Sequence, residues 1–84
     1  MFLHISKAIY LGDFRLRLEF NNGQVKELDL RNELHGEVFE PLNNLEFFKK
    51  FYVNSDTGTI EWPNGADFAP EFLYEHGVEV RKSA

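Results

Sequence analysis

The sequence predicts an α+β domain of two layers: an antiparallel sheet built from a β-meander and a second hairpin, with two short helices packed on one face. Three observations carry that expectation. The run "FRLRLEF", Phe14 to Phe20, alternates strictly between apolar and charged residues, the period-2 signature of a strand with one wet face. An Asn22-Gly23 turn follows at once, and a second turn cluster, Ser55-Asp56-Thr57-Gly58, separates two further apolar runs. Two other stretches, "NNLEFFKKF" and "APEFLYEHG", carry the residues that start and stop helices.

Taken in order, "LHISKAIYLG" reads as the first strand, with Leu3, Ile5, Ile9 and Leu11 as its apolar positions and Gly12-Asp13 as its turn. In the hairpin that follows, Phe14, Leu16, Leu18 and Phe20 face one way and Arg15, Arg17 and Glu19 the other. A two-residue Asn22-Gly23 loop would set Phe20 opposite Val25 but Leu18 opposite Glu27, which puts a carboxylate on the apolar face. A one-residue bulge at Val25 and Lys26 removes the conflict by pairing Leu18 with Leu28, Leu16 with Leu30 and Arg17 with Asp29, so the sequence predicts that bulge. "RNELHGEVFEPL" is then a loop with one helical turn, anchored to the core through Val38, Phe39 and Leu42.

The first helix is expected to start at Asn44 as N-cap, with Glu46 in its first turn, Lys49 and Lys50 in its last, and Leu45, Phe48 and Phe51 at helical spacing. "FYVNSDTGTIEW" is the second hairpin, in a register that pairs Val53 with Ile60 and Phe51 with Trp62. The last helix has Pro70 at its first position, Glu71 at its positive end, Leu73 and Tyr74 on its buried side and Gly77 at its close. Val78 and Val80 are the apolar positions of a tail that either adds a strand or frays.

All 84 residues belong to a single domain, with 43% hydrophobic residues and nine Phe, from which a core built largely of rings is expected. There is no cysteine, which removes disulfides, thiolate nucleophiles and thiolate metal ligands and fits a reducing cytoplasm. No apolar run has the length of a membrane span, and His4, Ser6, Lys7 and Asp13 interrupt the N-terminal stretch where a signal peptide stays apolar. The net charge of −5 is unevenly placed, because Tyr52 to Val80 holds six acidic residues and no Lys or Arg. Phosphate backbones are repelled by such a surface, so no direct nucleic-acid binding is expected.

Catalytic patterns are missing: no G-x-S-x-G is present, and Ser6, Ser55 and Ser83 have no supporting sequence pattern. His4, His35 and His76 stand singly, without H-x-x-x-H or H-x-H spacing, so they read as ordinary imidazoles, not metal ligands. Asp67, Glu71 and Glu75 fall at i, i+4 and i+8, which lines up three carboxylates for a hard cation or, more simply, makes a solvated helix face. No catalytic residue, metal or cofactor is therefore assigned. The candidate binding surface is Trp62, Asn64, Asp67, Glu71 and Tyr74, read either as a turn leading into a helix or as an aromatic pocket that Tyr10 helps to line.

The runs "LRLEFNNG", "ELDL", "FEPLNNLEFFKKFYVN" and above all "GTIEWPNGADFAPEFLY" resemble a small bacterial domain-of-unknown-function family, DUF2442. The most specific part is W-x-N-G-x-D followed by P-E-x-L-Y, here Trp62, Asn64, Gly65, Asp67, Pro70, Glu71, Leu73 and Tyr74. Ala69 departs from the pattern, where Ser would be a better N-cap. The resemblance implies a two-layer α+β fold with helices on one side of an antiparallel sheet, and no established activity or cofactor. It also implies that some relatives carry a helix-turn-helix domain and that some are encoded beside another small protein, as toxin-antitoxin pairs are. Within these residues no DNA-reading domain is expected. The favoured function is a non-enzymatic, antitoxin-like interaction module whose partner is the product of an adjacent gene, with a homodimer through an unpaired sheet edge as a further option. The alternative is a small-molecule sensor with its pocket near Trp62 and Tyr74.

Overall fold

The computed structural model describes residues 2–80. Strands β1 (Ile5–Gly12), β2 (Arg15–Phe20) and β3 (Val25–Asp29) form the meander. Two 3-10 turns, Arg31–Glu33 and Glu40–Asn43, lead to helix α1 (Leu45–Phe48), the hairpin β4 (Tyr52–Asn54) and β5 (Thr59–Glu61), helix α2 (Pro70–His76) and strand β6 (Val78–Glu79). The tail does add a strand: β6 pairs antiparallel with β3, completing a four-stranded sheet in the order β1-β2-β3-β6. β4 and β5 make a separate two-stranded sheet. It is tied to β1 where the Ile5 amide donates to the Gly58 carbonyl at 2.8 Å.

The first hairpin has no bulge at Val25 and Lys26. Its ladder is regular, with Arg15 opposite Asp29, Leu16 opposite Leu28, Arg17 opposite Glu27, Leu18 opposite Lys26 and Glu19 opposite Val25. The reason is loop length. The Phe20 amide donates to the Gln24 carbonyl and the Gly23 amide to the Phe20 carbonyl, so the loop is Asn21-Asn22-Gly23, with Gly23 at φ +88. That extra residue changes which face each β3 side chain takes and leaves Lys26, not a carboxylate, on the apolar side. Lys26 is accommodated because its stem lies along the sheet while its ammonium donates to the Tyr74 carbonyl at 2.6 Å and sits 3.8 Å from the Tyr74 ring centroid. On the outer face Arg17 pairs with Glu27 at 2.6 Å, in place of the expected Asp29.

The irregularities fall on β1 instead, between Ile5 and Lys7 and between Tyr10 and Gly12. Ser6 stands at the first and donates to the Glu19 carbonyl at 3.1 Å. In consequence Ile5 is buried, Ala8 and Tyr10 share the inner face with Leu18 and Leu16, and Ile9 lies on the outer face opposite Arg17. Both helices pack on that inner face. Phe48 of α1 meets Phe14 edge-on at 5.2 Å and Tyr10 at 6.2 Å, and Tyr74 of α2 meets Phe20 edge-on at 5.0 Å.

Asn44 caps α1 as expected, accepting from the amides of Glu46 and Phe47. Leu45, however, is exposed, and so is Val38, leaving Phe39, Leu42 and Phe48 as the anchors of this region. The second hairpin has its expected register, with Val53 opposite Ile60. The Phe51 and Trp62 rings beyond it lie 6.5 Å apart. Among the described residues aliphatic side chains dominate the buried core, whose rings are Phe20, Phe48 and Trp62; Tyr10, Phe14, Phe39, Phe47, Phe51, Phe68 and Tyr74 pack against it. A core made largely of rings is thus a shell of rings around Leu and Ile.

Gly58 has φ +75, and a Cβ placed on it would lie 2.6 Å from Cβ of His4. Gly23 has a similar φ with nothing within 4 Å. Urea unfolding should therefore show Gly58→Ala losing roughly 2–4 kcal/mol, strain plus collision, and Gly23→Ala only about 1 kcal/mol, strain alone. Equal losses would contradict the close approach of β1 to the β4–β5 turn.

Candidate functional site

The stretch from Trp62 to Tyr74 leaves β5 by a tight turn. The Gly65 amide donates to the Trp62 carbonyl and the Trp62 amide to the Ala66 carbonyl, both at 2.9 Å, with Gly65 at φ +88. Asn64 serves both sides of the turn: its Oδ1 accepts from the Ala66 amide at 3.1 Å, and its Nδ2 donates to the Val38 carbonyl at 2.9 Å. Trp62 is fully buried, and its indole Nε1 donates to the Phe48 carbonyl at 2.8 Å. The Thr59 hydroxyl donates to the Phe68 carbonyl at 2.6 Å, securing the segment before Pro70. Ala69 is the N-cap of α2, extended at φ −63 and ψ 138, with no side-chain bond to the helix amides.

These contacts separate the five candidate residues. Trp62 packs on Phe48, Phe51 and Phe68 inside the protein. Tyr74 lies against Phe20 and Lys26, its hydroxyl accepting from Asn22 Nδ2 at 3.2 Å. The two rings have different neighbours, and Tyr10 meets Phe48 at 6.2 Å with its hydroxyl donating to the Asp13 carbonyl. Asn64 is used in the turn. As a turn residue Asp67 would spend its side chain on a nearby backbone amide; instead its backbone bridges Glu61, and its carboxylate has no hydrogen-bond partner among the described residues. Asp67 and Glu71 are exposed, as is Glu75.

Beside those carboxylates runs a feature absent from the sequence-based candidates. Phe39, Phe68, Phe72 and His76 stack as one column, with centroid distances of 4.7, 5.5 and 5.3 Å and interplanar angles of 27°, 14° and 12°. Phe68, Phe72 and His76 repeat at i, i+4 and i+8, one residue after the acidic repeat, so the spacing was available to find them. Phe72, Glu75 and His76 border an open depression of about 250 Å³. Another, of about 320 Å³, lies between His76, Val78 and the outer residues Arg15, Glu27 and Asp29.

Among the described residues no group of three His, Cys, Asp or Glu side chains is placed to hold a metal ion. Tyr52 holds its proton above the usual range because its hydroxyl donates to Glu61 at 2.5 Å, helped by desolvation and by the charge of that carboxylate. A phenol shifted that way is a poorer nucleophile. No helix among the described residues is long and apolar enough to cross a membrane.

A four-stranded antiparallel sheet, a two-stranded sheet and two short helices make this a small α+β domain whose most specific sequence run builds a turn and a helix. The family model described as "Protein of unknown function (DUF2442)" matches residues 5–79, and the chain belongs to that family. Neither a curated protein nor a solved structure matches it.

Two substitutions test the architecture of the run. Trp62→Phe removes the donor to the Phe48 carbonyl and part of the buried volume, and should cost about 3 kcal/mol in urea unfolding. Ala69→Ser supplies the missing cap and should gain about 1 kcal/mol by the same measurement.

Proposed function

We propose that this chain is a non-enzymatic cytoplasmic interaction module, regulatory and antitoxin-like in character, whose partner is a protein encoded beside it. The observation that carries this reading is the division of labour in the Trp62 to Tyr74 run. Trp62 and Asn64 are bonded inward, while Asp67 and Glu71 project outward next to the partly exposed Phe72 ring. An outward surface of rings and carboxylates suits contact with another macromolecule, since aromatic side chains supply area with few rotatable bonds. The sensor alternative has less to support it, because Trp62 is buried and Tyr74 packs against Phe20 and Lys26.

The test is tagged expression together with the neighbouring open reading frames, followed by two-step purification and mass spectrometry. A stoichiometric complex with an adjacent gene product is expected. A chain that elutes alone in every such co-expression, or that turns over a substrate in an unbiased metabolite screen, would refute the proposal.

A further inference from the structure

We infer that the outer face of α2 docks a basic, partly apolar segment of the partner protein, its cationic side chains on Glu71 and Glu75 and its apolar side chains on the edge of the Phe68-Phe72-His76 column. This rests on the interaction function proposed above and adds the place and the chemistry.

Helix α2 has two sides. Leu73 is fully buried and Tyr74 half-buried against the sheet, while Glu71, Phe72, Glu75 and His76 face outward. Phe72 is 36% exposed although it is stacked on both sides, so what it offers to solvent is the rim of the ring. A rim of stacked rings is an apolar strip, not a set of open π faces, and it fits aliphatic side chains better than a stacked cation. The cation contacts come from the neighbouring row. Asp67, Glu71 and Glu75 make no ion pair among the described residues, although Arg15, Arg17 and Lys49 elsewhere do. Glu75 and the two last rings of the column border the same depression, which joins the apolar and acidic rows into one surface.

Charge complementarity decides the occupant. From Tyr52 to Val80 there are six acidic residues and no Lys or Arg, so this part of the chain has no cation of its own to place on the acidic row. A second copy would bring the same acidic row to the contact, and like charges facing each other oppose association. An acidic partner or a nucleic acid is excluded by the same argument.

The probe is a synthetic peptide of alternating Arg and Leu, with an alternating Glu and Leu peptide as its counterpart, each titrated into the isotopically labelled full chain and followed by amide chemical shifts. The Arg-Leu peptide should move residues 67–76, and the Glu-Leu peptide should move nothing. The double variant E71Q/E75Q should weaken the Arg-Leu peptide at least about tenfold, and Phe72→Ser should weaken it several-fold with the far-UV spectrum unchanged. E37Q/E40Q removes two charges from another exposed segment and should change the affinity by less than about twofold. Equal loss in both double variants, or shifts scattered over all acidic surfaces, would mean attraction by net charge alone and would overturn the inference. Concentration-dependent shifts of residues 67–76 without peptide would put a second copy on the face and overturn it too. If E71Q/E75Q still co-purifies with the adjacent gene product in full, the docking face is wrong and the interaction function stands; if neither probe nor gene product binds, both fall.

Discussion

The hydrogen bond from Trp62 Nε1 to the Phe48 carbonyl is the contact on which the second half of the fold depends. It joins the end of α1 to the end of the second hairpin across a fully buried indole. A helix of four residues cannot persist alone, since each turn costs backbone entropy that one or two hydrogen bonds do not offset. It is held from outside: Asn44 caps its start, Phe48 is buried beneath it, and Trp62 takes the carbonyl that its short ladder leaves over. The same indole is surrounded by Phe48, Phe51 and Phe68, so it also fixes where the chain goes after the turn.

From that point α2 is aimed by constraints at both ends. Its start is set by the Asn64 turn, by Thr59 bonding the Phe68 carbonyl and by Pro70, which fits a first helical position whose N–H needs no partner. Its end is set by Lys26, which reaches from β3 to the Tyr74 carbonyl and puts a positive charge at the negative helix terminus. Gly77 then lets the chain pass close to β3: a Cβ there would lie 2.9 Å from Cβ of Lys26 and 3.2 Å from the Leu73 carbonyl oxygen. Immediately afterwards β6 joins the sheet beside β3. With both ends anchored, the rotation of α2 is settled, and so is the identity of the side chains that face outward.

Local rules made much of this visible in the sequence. The Asn44 cap, the Pro70 start and the Val53–Ile60 register depend on residues near one another in the chain, and turn and cap chemistry describes them, whereas Gly77 closes α2 at φ −76 and answers to Lys26. The first hairpin did not yield to the same reasoning, because a two-residue loop put Glu27 opposite Leu18, whereas the three-residue loop puts Lys26 there, and Lys26 is accommodated by Tyr74, 48 positions away. With the loop taken as Asn22-Gly23, a bulge was the explanation that kept Glu27 off the apolar face. The β1 irregularities were hidden for a related reason, since which of Ile9 and Tyr10 turns inward is set by where β2 lies. At the candidate surface the acidic repeat was legible as spacing, while the ring column beside it needed Phe39, which comes from a loop 29 positions before Phe68 in the chain, to be recognised as a column.

The charge arrangement on α2 points away from a purely architectural role for its outer face. Glu71 gains from the positive helix start, but Glu75 lies in the last turn, where the helix dipole disfavours a carboxylate. The spacing of Glu71 and Glu75 adds repulsion of about 0.2–0.5 kcal/mol, and neither makes an ion pair among the described residues. A Lys or Arg at position 75 would remove this cost without disturbing Leu73 or Tyr74, which hold the helix to the sheet. The fold therefore tolerates an arrangement that its own stability does not require, on a helix whose orientation is fixed from both ends. A cationic partner segment would turn that local cost into binding energy, and the rigid helix beneath it would hold the two carboxylates and the ring edge in place before the partner arrives.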